Sequence, residues 1–223
     1  YTEIGNSNDW AGKANQGNSD IIMLGARGLK DPNNVYVEGW GFAPVTKALN
    51  DAFLSNDPRK WTTIIDHEEF RAEGGTVSSD VNQYTGYSVR KYHPRAGYSS
   101  TVGTEALNYK NNYRVIRFSD VLLMASEALL RSGGSVGEAQ DYYARVVKRA
   151  MGDDYKVPAV SLDNIYKERR YEFAMEGIRY WDLVRTNQAK DFIKGWDDTK
   201  KYLPIPQSEI DKSDGHLVQN PHF

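Results

Sequence analysis

The sequence predicts a mainly α-helical protein in which pairs of helices form a scaffold beside a loop-rich region with few strands. Apolar residues recur at helical spacing through most of residues 113–191. By contrast, residues 1–112 contain 12 Asn and 12 Gly, against 3 Asn and 7 Gly in the remainder, a composition typical of turns. We therefore divide the single predicted domain into a loop-rich part, residues 1–112, and a helical scaffold with an extended tail, residues 113–223.

The loop-rich part is predicted to contain one clear helix, at about residues 44–54. Pro44 suits a first helical position, and apolar residues follow at helical spacing as far as Leu54. The Asn-Asp-Pro sequence at 56–58 ends this helix. Short strands are predicted for residues 62–65 and 87–92, and we expect the loops of this part to form the ligand-facing side.

Two helices begin the predicted scaffold. The first spans residues 118–131, and its apolar arc is broad enough to predict burial on two sides. Gly133 follows it as a helix terminator. Ser135 then caps the second helix, with Glu138 three residues further on as in a capping box, and Gly152 ends that helix. The short connection predicts an antiparallel pair.

A third helix is predicted after Ser161, and a fourth follows the interruption at Gly177. Their charges recur at spacings that allow ion pairs along one face, and we expect Trp181 to fill the core with neighbouring apolar side chains. Beyond them, Pro206 is predicted to open a single helical turn within an extended, proline-rich tail. The residues that we assign to this structural motif are Glu168, Arg169, Glu172, Glu176, Arg179, Trp181, Asp182 and Arg185.

Composition and the absence of several motifs exclude whole classes of function. The net charge is −2 and the pI about 6.1, so nucleic acid is not an expected partner. Cysteine is absent, which excludes disulfides and thiolate chemistry within this chain. No phosphate-binding loop, dinucleotide fingerprint, nucleophile elbow or HExxH motif occurs, and the four histidines are scattered. We expect neither a metal nor a cofactor.

The carboxylates between Glu168 and Asp182 allow two interpretations. A pair such as Glu172 and Glu176 resembles the two carboxylates of a glycoside hydrolase. The alternative is structural, because a buried carboxylate is stable only with a partner and arginines are interspersed throughout this segment. We favour the structural interpretation, assign no catalytic residue, and predict that the protein is not an enzyme.

Aromatic residues on polar loops are the candidates for ligand binding. Trp10, Tyr36 and Trp40 lie in stretches rich in Gly, Asn or Asp, and Asn33 and Asn34 lie in a turn just before Tyr36. Such aromatic rings can contact the face of a sugar while amides and carboxylates bind its hydroxyls. The alternative is that each ring fills a gap in the core. We favour that alternative for Trp40, whereas for Trp10 the two interpretations are equally supported.

Several longer motifs together resemble the SusD/RagB family. Residues 113–128 read YRVIRFSDVLLMASEA, and residues 168–185 read ERRYEFAMEGIRYWDLVR, which is long and specific. The closing segments are YLPIPQSEI at 202–210 and QNP at 219–221. Upstream, GWG, NDPR and RKY occur in the family's order. The resemblance therefore covers nearly the whole chain.

This resemblance implies a lipoprotein of the outer membrane, exposed at the cell surface, with tetratricopeptide-like helix pairs in a SusD-like α-α superhelix. Such proteins bind glycans, or in some members peptides, for a SusC-like TonB-dependent transporter. Family members are usually longer, so we expect the lipid-anchoring cysteine and further helix pairs to precede this chain. The alternative function is a helical-repeat module that binds other proteins and no small ligand.

Overall fold

The computed structural model describes residues 17–101 and 103–223, which form two compact units, Tyr1–Met175 and Glu176–Phe223. The described helices and strands of the first unit are α1 (Asp20–Leu24), α2 (Lys47–Asn50), α3 (Pro58–Thr63), β1 (Ile64–Asp66), α4 (His67–Ala72), β2 (Tyr87–Val89), α5 (Phe118–Ser132), α6 (Val136–Met151) and α7 (Leu162–Glu172). Those of the second unit are α8 (Arg179–Arg185), α9 (Ala189–Phe192) and α10 (Gln207–Lys212). Single 3₁₀ turns span Glu105–Leu107 and Asp198–Lys201.

Helices α5 and α6 form the predicted pair. Gly133 adopts φ 71° and ends α5 in the left-handed conformation that glycine tolerates best. The Ser135 hydroxyl then accepts a hydrogen bond from the Glu138 N–H at 3.2 Å and caps α6. Ser126 on α5 donates to the Ala139 carbonyl of α6 at 2.7 Å, deep in the interface. The short connection makes the two helices antiparallel, and α7 packs on α5 beside them.

Helix α5 is covered on one face only in the part of the chain that the structure describes, so the predicted two-sided burial is wrong there. Leu122 and Leu123 are buried toward α6 and α7, whereas Phe118, Val121 and Met124 are exposed. The apolar arc is as broad as its sequence indicates, but the described elements pack against only one side of it.

The helix predicted at residues 44–54 is a single turn, α2. It begins after Thr46, whose hydroxyl caps it by accepting a hydrogen bond from the Leu49 N–H at 3.2 Å. The Asn-Asp-Pro sequence also does more than end a helix. Asp57 caps α3 and Pro58 occupies its first turn, so the chain is still helical at Thr63 and β1 begins later than predicted. Residues 44–63 thus hold two short helices.

Strands β1 and β2 pair antiparallel, with Ile64 opposite Val89 and Asp66 opposite Tyr87. Their buried side chains join the main core of the first unit, which also receives Ala174 from the segment after α7. The buried members of this core are Ile21, Ile22, Val45, Phe53, Ile64, Val89, Tyr92, Tyr109 and Ala174. The core therefore ties the loop-rich part to α7 and makes one unit of segments that the sequence places far apart.

In the second unit, α8 buries Asp182 and Leu183 but leaves Trp181 53% exposed. The expectation that Trp181 fills the core is wrong, because the helical turn directs it away from the buried side of α8. The tail contains the predicted turn as α10, and the Gln219 side chain both accepts from the Ile205 N–H and donates to its carbonyl. Among the described helices, none has the length and apolar character that crossing a membrane requires.

Candidate functional site

Two aromatic rings and two arginines stack in alternation on the first unit. The Arg90 guanidinium carbon lies 4.5 Å from the centre of the Trp61 ring and 5.8 Å from that of Tyr36. Arg95 lies 5.6 Å from the Tyr36 ring. These distances are those of cation–π contacts, which are strongest for arginine over tryptophan. We name the set Trp61, Arg90, Tyr36 and Arg95 the arginine–aromatic ladder.

Backbone hydrogen bonds hold the ladder together. Trp61 lies on α3, and the Arg90 N–H donates to the carbonyl of Thr63 at the end of that helix at 2.7 Å. Tyr36 and Arg95 belong to two segments joined by an antiparallel bridge. The ladder therefore combines three segments of the chain, one of them α3, and each is hydrogen-bonded to a neighbouring segment through its main chain.

The turn before Tyr36 is organised by Asp31. Its carboxylate accepts hydrogen bonds from the backbone N–H groups of Asn33, Val35 and Tyr36 at 2.9–3.0 Å. Although partial burial acts to raise the pKa of Asp31, these three donors hold it below its ordinary value. The carboxylate is thus committed to an Asx turn, and the turn leaves Asn33 and Asn34 exposed beside the ladder segment.

A buried histidine lies under Tyr36. The His93 ring contacts the Tyr36 ring edge-on at 5.2 Å, and its Nε2 accepts a hydrogen bond from the Ala26 N–H at 2.9 Å. That bond assigns the proton to Nδ1, which lies 3.2 Å from the Pro94 carbonyl. Burial, helped by the charges of Arg90 and Arg95, lowers the pKa of His93 to about 4. His93 is therefore neutral at physiological pH and supports the ladder without adding charge.

Arg90 is the more buried of the two arginines of the ladder. Among the residues that the structure describes, its side chain makes no ion pair, and its Nε is buried without a hydrogen-bond partner. Trp61 beside it is 64% exposed. An exposed tryptophan over an uncompensated guanidinium is a costly arrangement for a purely structural role and a suitable one for a ligand.

The sequence candidates for ligand binding are distributed unequally. Tyr36 is part of the ladder, and Asn33 and Asn34 lie on the exposed turn that precedes it. Trp40 packs against the main core, which is the alternative favoured from the sequence. Trp10 lies outside the described residues.

Sequence reasoning missed Trp61, Arg90 and Arg95. The available signal was a tryptophan next to the polar run at residues 56–60. The stacking partners of Trp61 become visible only once the loops are folded, because Arg90 and Tyr36 are 29 and 25 residues away from it in sequence.

A second set of arginines surrounds the carboxylates of α7. Glu172 accepts hydrogen bonds from Arg117 at 2.8 Å and Arg149 at 2.6 Å, and from Arg59 at 3.3 Å. Arg59 also pairs with Glu168. We name this set, Glu168 and Glu172 with Arg59, Arg117 and Arg149, the α7 ion cluster.

The α7 ion cluster has electrostatics suited to structure. Burial acts to raise the pKa of Glu172, but the surrounding arginines hold it at about 2. Burial raises the pKa of Glu168, in spite of its pairing with Arg59. Glu172 is thus an anion locked between cations, as the structural interpretation requires. The expectation that these two acids pair within their own segment is wrong, since their partners come from α3, α6 and the residue before α5.

The other motif residues form separate contacts. Arg169 pairs with Asp120 of α5 at 2.6 Å, and Arg185 pairs with Asp182 one helical turn away at 2.8 Å, as predicted. Glu176 is buried, and Arg179 stacks over Phe192 at 5.0 Å. In residues 17–101 and 103–223, no group of three or more His, Asp or Glu side chains is arranged to hold a metal ion.

A cleft near α4 is a further concavity. Its polar lining includes His67, whose ring nitrogens lie 3.1 Å from the Ser88 hydroxyl and 3.4 Å from the Tyr84 hydroxyl. Burial lowers the pKa of His67 to about 4. Because these polar groups satisfy one another, the cleft offers a ligand fewer free donors than the ladder does.

Comparison with known proteins now identifies the family. The profile of the SusD family matches residues 66–223. The chain belongs to the SusD family. Its curated relatives include "SusD-like protein P2" of Formosa agariphila, which is 23% identical over 90% of this chain and 44% of its own length.

Solved structures resemble this chain in both fold and sequence. A "Laminarin binding SusD-like protein" superposes with a TM-score of 0.83 and 36% identity over 100% of this chain and 48% of its own. "Surface glycan-binding protein A from Bacteroides thetaiotaomicron in complex with laminarihexaose" has a TM-score of 0.79 and 33% identity, covering 99% of this chain and 50% of its own. The SusD resemblance and the mainly helical fold class are confirmed, and the chain spans about half the length of these relatives.

Proposed function

We propose that this SusD-family protein binds oligosaccharides or polysaccharides at the cell surface and delivers them to a SusC-like TonB-dependent transporter of the outer membrane. The observation that carries this proposal is the likeness, along essentially the whole chain, to a glycan-binding protein bound to laminarihexaose. Family membership supports the location at the outer membrane. A lipid anchor in a part of the protein preceding this chain, and the transporter itself, belong to the same proposal.

The arginine–aromatic ladder is the proposed binding surface. Arg90 stacks on the Trp61 ring at 4.5 Å, and 64% of Trp61 is exposed. A sugar ring packs its C–H face on such a tryptophan while neighbouring donors bind its hydroxyls. The Tyr36 ring contacts Arg90 as well, with its centre 5.8 Å from the guanidinium carbon.

Amide side chains extend this proposed surface. The Asp31 turn leaves Asn33 and Asn34 exposed, where their amides can bind hydroxyls without rearrangement. We include Trp10 as a further candidate from its loop sequence. Trp40 is left out because it packs against the core.

The ion cluster of α7 argues against hydrolysis as the function. A general acid needs a carboxyl that holds a proton near neutral pH, whereas the pKa of Glu172 is held at about 2. Its oxygens are also occupied by three arginines. The geometry therefore supports capture of a glycan, not its cleavage.

Isothermal titration of the protein with laminarihexaose, comparing Trp61→Ala with the unmodified chain, tests the proposal. We expect Trp61→Ala to weaken binding about tenfold, or roughly 1.4 kcal/mol, because a stacking face is lost. Trp181→Ala is the matched control, since Trp181 is exposed to a similar extent but lies on α8. Equal affinity in all three proteins would reject Trp61 as part of the binding surface. Absence of binding to laminarihexaose and to a panel of other glycans would reject glycan binding itself in favour of a peptide or protein ligand.

A further inference from the structure

We propose that the ladder selects acidic oligosaccharides, with Arg90 and Arg95 binding the carboxylate of a uronic acid residue. This inference rests on the proposed function and adds the chemical class of the glycan. It is carried by a difference between the arginines of the ladder and the arginines around α7 in the same unit.

The first step concerns the charge of the ladder. Arg90 and Arg95 both stack on Tyr36, which places two cations around one ring. Neither has an ion-pair partner among the described residues, and Arg90 Nε is buried without any acceptor. The nearby carboxylate of Asp31 already accepts three backbone N–H groups. The described part of the chain therefore leaves the positive charge of the ladder without an ion-pair partner.

The second step is that the arginines around α7 are paired with carboxylates. Arg59, Arg117 and Arg149 all contact Glu172, and Arg169 contacts Asp120. A guanidinium nitrogen that is buried without an acceptor, as Arg90 Nε is, is unfavourable because it loses water and gains nothing in return. Arg90 thus lacks the group that every arginine of the α7 ion cluster has, and a ligand carboxylate would supply it.

The third step concerns geometry. The planar fork of a guanidinium matches the two oxygens of a carboxylate, and stacking on aromatic rings holds that fork in one orientation. Arg90 is held between Trp61 and Tyr36 in this way. A uronate ring combines an apolar face for Trp61 with a carboxylate at its edge for Arg90. A neutral sugar would use Trp61 but leave both charges uncompensated.

The test is titration of the 223-residue chain with hexagalacturonate and, in parallel, with laminarihexaose, each at 20 mM and 300 mM NaCl. We expect the uronate hexamer to bind at least tenfold more tightly than the neutral hexamer at low salt, and this advantage to shrink at high salt as the charges are screened. Arg90→Met keeps a side chain between the two rings but removes the charge, and Arg95→Gln removes the other charge. Each variant is expected to lose about tenfold in affinity for the uronate hexamer.

Arg145→Met is the matched control, because Arg145 also stacks over an exposed ring, that of Phe118 at 5.3 Å, on α6. It should leave both affinities unchanged. Binding of laminarihexaose equal to or stronger than that of the uronate hexamer would overturn this inference while leaving glycan capture intact. A uronate preference that persists in Arg90→Met and Arg95→Gln would overturn it as well, by placing the anion elsewhere. Binding of neither hexamer would reject this inference and count against glycan capture itself.

Discussion

The α7 ion cluster and the arginine–aromatic ladder use the same residue type in opposite ways. In the cluster, Glu172 is 2% exposed and is surrounded by three arginines within hydrogen-bond distance. In the ladder, Arg90 contacts two aromatic rings and no carboxylate among the described residues. With Asp57, which pairs with Arg59 at 2.8 Å, three carboxylates balance the three arginines of the cluster, whereas the described residues offer the ladder no ion-pair partner.

The difference separates a fold-specifying region from the proposed ligand-binding one. The cluster draws arginines from α3, α6 and the residue preceding α5, so that α7 is fixed from three directions. The ladder stacks its arginines on rings, one of which, Trp61, is mostly exposed. Paired charge here indicates structure, whereas the partly buried Arg90, stacked between two rings and without an ion pair among the described residues, is the basis for proposing recognition.

The largest expected effect comes from removing the charge of the cluster. Glu172→Gln leaves three arginines facing a neutral amide, and we expect the free energy of unfolding to fall by about 3–5 kcal/mol. Urea denaturation followed by circular dichroism measures this change.

Glu209→Gln is the control for that experiment. Glu209 pairs with Lys212 at 3.1 Å on the exposed surface of α10, and its loss should change stability by less than about 0.5 kcal/mol. If Glu172→Gln were as harmless as Glu209→Gln, the cluster would not be structural, and the acid–base interpretation of Glu172 would return.

The next largest effect concerns pH. Burial lowers the pKa of His93 to about 4. As the pH falls, the unfolded chain therefore protonates this ring near pH 6.5, whereas the folded chain protonates it only near pH 4. The stabilisation is complete above pH 6.5 and is lost as the pH falls toward 4, by on the order of 3 kcal/mol. His67, with its pKa also at about 4, adds to the loss in the same window.

The cluster should respond at lower pH. The pKa of Glu172 is held at about 2, so its stabilisation persists down to about pH 4.5 and is lost below it.

His93→Gln, whose amide oxygen can still accept from Ala26, should flatten the slope of the unfolding free energy against pH between pH 6.5 and 4, whereas exposed His216→Gln should not. Unfolding curves at stepped pH measure both, and an unchanged slope in His93→Gln would contradict the assignment of His93 as a buried neutral ring.

A smaller effect is expected at the turn that carries Tyr36. Asp31→Ala removes the acceptor for three backbone N–H groups that become exposed to water, and we expect a loss of about 1–2 kcal/mol. Because Tyr36 is then less well placed, glycan affinity should fall too. Asn33→Ala, on the same turn but exposed, should change stability by less than about 0.5 kcal/mol. Thermal unfolding of the two variants tests this, and equal melting temperatures would contradict it.

Local patterns in the sequence were enough to predict the scaffold. Helical spacing, Gly133 and the Ser135 cap place α5 and α6 within one residue of their observed bounds, because these signals act through neighbouring backbone groups. The short helices between residues 44 and 72 were less predictable. Their caps, such as Thr46 and Asp57, lie in a run of turn residues where several boundaries are equally favourable.

Contacts between distant segments were beyond the sequence. Glu172 was interpreted as a paired carboxylate and is paired in the structure, but Arg59 and Arg117 are 113 and 55 residues from it. Trp61 was missed for the same reason, since neither its exposure nor its contact with Arg90 follows from local spacing. Tyr36 was proposed from the sequence because it lies on a polar loop just after a turn, and that information is local. Helices and their caps can thus be predicted from the sequence, whereas the partners of a buried charge cannot.

The most direct test measures stability and binding together in two variants, Glu172→Gln and Arg90→Met, at a temperature where circular dichroism shows both to be folded. The account predicts that Glu172→Gln loses several kcal/mol of unfolding free energy but retains its affinity for the uronate hexamer. It predicts the reverse for Arg90→Met, with stability within about 1 kcal/mol of the unmodified chain and affinity reduced about tenfold. Loss of stability in Arg90→Met with unchanged affinity, or loss of affinity in Glu172→Gln with unchanged stability, would contradict the division between the two sets of arginines.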